Sequence, residues 1–173
     1  MNVHPPGHQP QRPPGHGPWN PAPTRTSDDD DMAALANTML PRAGAAAMAV
    51  AGLCAVLGSF QTWMLVRFLG LALAAVPWLF VAMGAAALLV GAKLAGARRW
   101  AAVATIALGS LLAVTSGAWV IYAFRLHFTA FFLILTPVVA GLAVILAAIA
   151  IPTCDRADAA RKRLGAQGLD LGM

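Results

Sequence analysis

Between Met32 and Cys154 the chain contains no carboxylate, and beyond Arg42 only five basic residues (Arg67, Lys93, Arg98, Arg99 and Arg125) interrupt that stretch. They divide it into apolar blocks at 43–66, 68–92, 100–124 and 126–151. Each block exceeds the roughly 20 residues that an α-helix needs to cross the hydrocarbon core of a bilayer. A soluble domain of 173 residues needs more charge than 11% to cover its surface, and 59% hydrophobic residues leave too little polar surface for that. These observations predict an all-α membrane protein, an up-down-up-down bundle of four transmembrane helices at about 43–66, 69–94, 99–124 and 128–151. The bundle then occupies 43–152. The short links around Arg67, Ala95–Ala97 and Arg125–His127 force neighbouring helices to be antiparallel.

The flanks read differently. Residues 1–31 hold eight of the twelve prolines and three of the four histidines. Such a segment buries too little apolar surface to offset its ordering entropy, so a disordered tail with polyproline II character is expected. The block Pro-Pro-Gly-His occurs at 5–8 and 13–16, and PxxP spacings start at Pro10 and Pro18. A solvated tether explains these motifs as well as a docking sequence does. Asp28 to Asp31 precede an Ala-rich stretch, as acids do at the positive end of a helix. With Met32, Leu35 and Met39 on one face, residues 32–41 are expected to form a short interfacial amphipathic helix stopped by Pro41. Residues 153–173 read as a basic tail. Within it a short helix from about Asp155 leads to Arg161, Lys162 and Arg163, which are expected against anionic headgroups.

Nine basic residues flank the ends of the spans that carry the chain termini, against two, Arg67 and Arg125, at the other ends. By the positive-inside rule both termini are expected in the cytoplasm, with the chain multi-pass in the cell membrane. Cys54 reads as a small apolar packing residue and Cys154 as a free juxtamembrane thiol. Helix three carries Ala101, Thr105, Gly109, Ala113 and Gly117 at intervals of four, a small-residue stripe that lets another helix approach closely. Similar stripes occur at Ala47, Ala51, Ala55 and Ser59, and at Ala87, Gly91 and Ala95. Trp63 before Arg67 and Trp119 before Arg125, with Pro77 and Pro137 early in helices two and four, suggest a weak internal duplication.

Paired-carboxylate catalysis and proton relays need ionisable groups at depth, usually Asp, Glu or His, and the spans contain no carboxylate, with His127 at a helix end. Ser59, Ser110 and Ser116 lack an acid to complete a nucleophilic triad. No enzyme activity, metal, cofactor or nucleic-acid partner is expected. Of thirteen aromatic residues, eleven lie in the halves of the spans, or in the links, on the side away from the termini. The cytoplasmic half is built of Ala, Gly, Val and Leu, so helices tight at that end and splayed at the other are expected. A candidate headgroup site there comprises Arg67, Arg125, Gln61 and His127, with Trp63, Trp78, Trp119 and Tyr122 lining an apolar pocket. Arginines that simply snorkel to headgroups are the plainer alternative.

At AVLGSFQTW (55–63) and GARRWAAVATIALGSLLAV (96–114) the chain resembles small four-helix membrane proteins common in high-GC bacteria, which also carry Pro- and Gly-rich cytoplasmic tails. Ten Arg against two Lys agree with that origin. The resemblance implies the four-helix fold and no assigned activity. The leading functional expectation is a non-enzymatic accessory or scaffolding subunit, whose contacts are membrane lipids and a membrane-protein partner or a second copy in a homo-oligomer. The alternative is a binder or carrier of a lipid or other apolar molecule in the aromatic half.

Overall fold

The computed structural model describes residues 27–69, 75–126 and 131–166. The expected disordered tail falls outside them as far as residue 26. Five helices follow: α1 (Ser27–Ala36), α2 (Met39–Leu69), α3 (Ala75–Leu94), α4 (Arg99–Arg125) and α5 (Phe131–Ala166). Helices α2 to α5 are long and apolar enough to cross a membrane. They form a square in which α2 packs on α3 and α5, and α4 on α5 and α3. Across one diagonal, α2 and α4 barely touch. The start of α2, the α3–α4 link, the end of α5 and all of α1 share one end of the bundle, called here the polar end. The other end is the aromatic end.

Lengths explain the asymmetry between the ends. At 1.5 Å per residue, the 20 residues of α3 reach only about 30 Å, the thickness of the hydrocarbon core. The 36 residues of α5 reach about 54 Å, so its last turns stand clear of the bilayer. The expected separate C-terminal helix is instead one continuous helix with the fourth span, through Pro137 and Pro152.

The expected helix at 32–41 is also displaced. Helix α1 starts five residues earlier, at Ser27, because the acidic run lies inside its favourable first turns rather than before them. It ends at Ala36, and Thr38 opens α2, its carbonyl accepting from Arg42 N–H at 3.0 Å. Pro41 sits in the first turn of α2, where its missing N–H costs nothing, and therefore stops no helix. Met32 and Leu35 lie on α1 but Met39 belongs to α2, so the three do not form one helix face. Met32 and Met39 are exposed, while Asp31 and Leu35 turn inward toward α5.

In lipid, helices associate through close packing rather than hydrophobic expulsion, so glycines decide where axes approach. At Gly52 an added Cβ would lie 2.7 Å from the Gly84 carbonyl oxygen, and a Cβ on Gly84 would lie 2.7 Å from that of Gly52. This reciprocal contact fixes the α2–α3 crossing, continued by Gly91 against the Ala45 carbonyl at 3.1 Å. The stripe on α4 holds for Ala101, Thr105 and Gly109, all buried against the bundle. It then drifts. A step of four residues overshoots a full turn by about 40°, so Ala113 is only partly buried and Gly117 has nothing within 4 Å of its Cβ position. Leu112 and Ser116 take over the buried face. Buried hydroxyls satisfy themselves locally. Thr62 donates to the Gly58 carbonyl at 2.9 Å, Thr105 to Ala101 at 2.8 Å and Thr136 to Phe132 at 2.8 Å.

A Cβ on Gly109 would lie 2.8 Å from Val144 Cγ2 on α5, whereas Val103 is 53% exposed. We predict that Gly109→Ile and Gly52→Ile each lower stability in detergent by about 1–3 kcal/mol through overpacking, while Val103→Ile leaves the thermal midpoint unchanged. Equal midpoints for all three variants would contradict this packing.

Candidate functional site

The polar end is held by charges that face inward. Asp155, Asp158 and Arg161 recur every three residues along α5 and so share one side of it. That side meets the α3–α4 link. Asp158 Oδ2 accepts from the backbone N–H of Arg99 at 2.9 Å, supplying the first turn of α4 with the acceptor that its N-cap, Arg98, does not offer. Arg161 donates to the carbonyls of Gly96 and Ala97, just beyond the end of α3, and pairs with Asp158 Oδ1 at 2.6 Å. One ion pair thereby caps two helix ends.

The turn it grips carries Ala97 at φ 49°, a left-handed conformation that usually needs glycine. Arg99 Nε lies 3.3 Å from Asp155 Oδ1. That approach is electrostatic, because its angle gives Asp155 Oδ1 no hydrogen bond. On another side of α5, Arg163 Nη1 lies 3.4 Å from Asp31 Oδ1 and ties α1 to the bundle. The expected headgroup cluster at 161–163 is thus divided: Arg161 points into the link, Arg163 pairs with Asp31, and Lys162 is exposed. Sequence reading missed this clasp because an Asp and an Arg three residues apart look like any exposed helix pair.

Cys154 is fully buried in the core beneath the clasp, with Leu94, Ala97 and Ala101, rather than exposed as a free thiol. Burial pushes its thiol pKa up, Asp158 and Asp155 add to that, and Arg161 offsets part of it. Cys54 is buried as well.

At the aromatic end the expected pocket residues separate into two patches. Trp119 and Tyr122 pair at a centroid distance of 5.4 Å. With Val76, Leu79, Phe80, Thr115 and Ala118 they line a groove of about 460 Å³ between α3 and α4. This is the loosest seam between neighbouring helices. Thr115 turns its hydroxyl to the Leu111 carbonyl at 2.7 Å, so it presents its methyl and lone pairs. The indole Nε1 of Trp119 is buried and finds no acceptor among the described residues.

Trp63 belongs elsewhere. It stacks on Phe60 at 6.3 Å along the exposed side of α2, and Arg67 lies over its ring at 5.4 Å. Trp78 is 73% exposed and is not in the wall of this groove. Arg67 and Arg125 lie near the ends of helices on opposite corners of the square. The Gln61 side chain is part-buried, its Oε1 without a donor among the described residues. His127 lies outside the described residues.

Two outcomes are expected. Asp158→Ala removes the α4 cap and the carboxylate partner of Arg161, and lowers stability by about 1–3 kcal/mol, read as a fall in thermal midpoint, whereas Lys162→Ala does not. In the folded protein at neutral pH neither cysteine reacts with a maleimide until denaturant is added, and raising the pH toward 9 does not expose them. Rapid labelling of Cys154 in the native state would place it at the surface.

Comparison with known protein families, curated proteins and solved structures returns no match to this chain.

Proposed function

We propose that this is a non-enzymatic integral membrane protein that binds a lipid or another apolar molecule in the α3–α4 groove. The observation that carries the reading is the buried Trp119 Nε1, a donor without an acceptor among the described residues, in the wall of a largely apolar cleft between α3 and α4. An unmet donor in hydrocarbon is costly, and an occupant with an apolar body and one acceptor, such as an acyl chain with its ester carbonyl, removes that cost. Ser59 and Ser116, the buried hydroxyls with nucleophilic chemistry, donate to their own helix backbone. That arrangement is structural and leaves binding as the simplest role.

A second reading is an accessory or scaffolding subunit of a membrane complex. It is favoured by Gly117, whose accessible backbone on α4 offers a close approach to a helix from another chain or a second copy.

One experiment separates them. Native mass spectrometry of protein released from mild detergent is expected to show retained lipid, of which Ala118→Trp, filling the groove, removes the share bound there. Ile145→Trp, on an exposed face of α5, is expected to retain it. A stoichiometric protein in place of lipid supports the second reading, and a wild type that retains neither ends the first.

We further propose the cell membrane as the location and the cytoplasm as the side of the polar end. Among the described residues it gathers Arg42, Lys93, Arg98, Arg99, Arg156, Arg161, Lys162 and Arg163, against Arg67 and Arg125 at the aromatic end. Reporters active only outside the cytoplasm are expected to be silent when fused after Met173 and active after Arg67. The reverse pattern would invert the orientation.

A further inference from the structure

The polar end contains a second concavity, independent of the α3–α4 groove and of opposite chemistry. An open cleft of about 660 Å³ has Arg98, Arg99 and Trp100 from the start of α4 on one side. Asp155, Asp158, Arg161 and Lys162 from the outer turns of α5 form the other. Four cations and two carboxylates line it, a balance of 4 − 2 = +2.

The pairing of these charges decides which remain available. Asp158 is engaged by the Arg99 N–H and by Arg161 Nη1, and Asp155 faces Arg99 Nε. Arg99 and Arg161 therefore neutralise the two acids. Arg98 and Lys162, both exposed, make no ion pair among the described residues. The uncompensated charge belongs to these two residues, one from each wall.

Position supplies the rest of the argument. Trp100 is half-exposed where α4 enters the hydrocarbon, the level at which indoles settle in membranes. Val103 and Ala107, the next exposed residues down α4, continue as an apolar track. Two unpaired cations above an interfacial indole and an apolar helix face match an anion that carries hydrocarbon chains.

We propose that this cleft binds the phosphate of an anionic phospholipid, with Arg98 and Lys162 holding the phosphate oxygens, Trp100 at the glycerol level and the acyl chains along α4. Arg98 bonds two oxygens through its planar fork, and Lys162 adds a point charge.

The test uses the full chain in nanodiscs of phosphatidylcholine with a minority of phosphatidylglycerol, followed by native mass spectrometry of the lipid that stays bound. Wild type is expected to retain phosphatidylglycerol in preference to phosphatidylcholine. Arg98→Gln with Lys162→Gln should lower that retention by about fivefold or more, the weight of at least one interfacial cation. Arg42→Gln with Lys93→Gln removes the same charge from the same end outside the cleft and should leave retention near wild type. The charge-preserving pair Arg98→Lys with Lys162→Arg should restore most of it, which separates lost recognition from lost folding. Equal loss in the two Gln pairs would reduce the effect to general attraction and overturn the proposal. So would a wild type without preference, or full displacement of the lipid by excess inorganic phosphate, which would mark a site for a soluble anion.

Discussion

In a hydrocarbon solvent the backbone must satisfy its own hydrogen bonds, and helices gain nothing by hiding apolar side chains from lipid. What remains to hold this bundle together is close contact, and close contact depends on residues without bulk. The reciprocal approach of Gly52 and Gly84, each against the other's carbonyl oxygen, is the tightest such point. Gly109 against Val144 and Gly58 against Leu133 extend the same principle to the seams with α5. Neither Gly52 nor Gly84 has room for a methyl group without the helices moving apart. The alanine-rich composition of the interior follows from this requirement.

The two ends of the bundle solve different problems. At the polar end water is near, and the α3–α4 link leaves helix termini with unpaired carbonyls and amides. One Asp–Arg pair from α5 meets both, so the extension of α5 beyond the membrane closes the end of the bundle. At the aromatic end α3 and α4 leave a groove whose lining includes an indole N–H with no acceptor among the described residues. The α5 clasp thus closes the polar end, while the α3–α4 seam at the aromatic end stays open.

The spans were legible because membrane insertion is decided by the polarity of each residue, which a sequence carries in full. The inward face of α4 was legible as far as Gly109. Beyond it, the strict interval of four drifts around the helix, and only the position of α5 shows that Leu112 and Ser116 face inward. Which aromatics form a groove was not legible at all. Trp63 and Trp119 look equivalent in sequence, yet helix rotation places one beside Arg67 on an outer strip and the other in a seam. Arg161 was hidden for a related reason, since its partners lie more than sixty residues away, at Gly96 and Ala97. Pro41 misled because a proline stops a helix only in its interior, and here it sits in a first turn.

The central claim is that small-residue packing locks α2 onto α3 while the α3–α4 seam stays open beside Trp119. An electron cryomicroscopy map of the protein in lipid nanodiscs tests it most directly. The account predicts α2 and α3 in backbone contact at Gly52 and Gly84, with density for an occupant in the groove lined by Phe80, Trp119 and Tyr122. A map with α4 closed onto α3 and no space beside Trp119, or with α2 and α3 separated at those glycines, would contradict it.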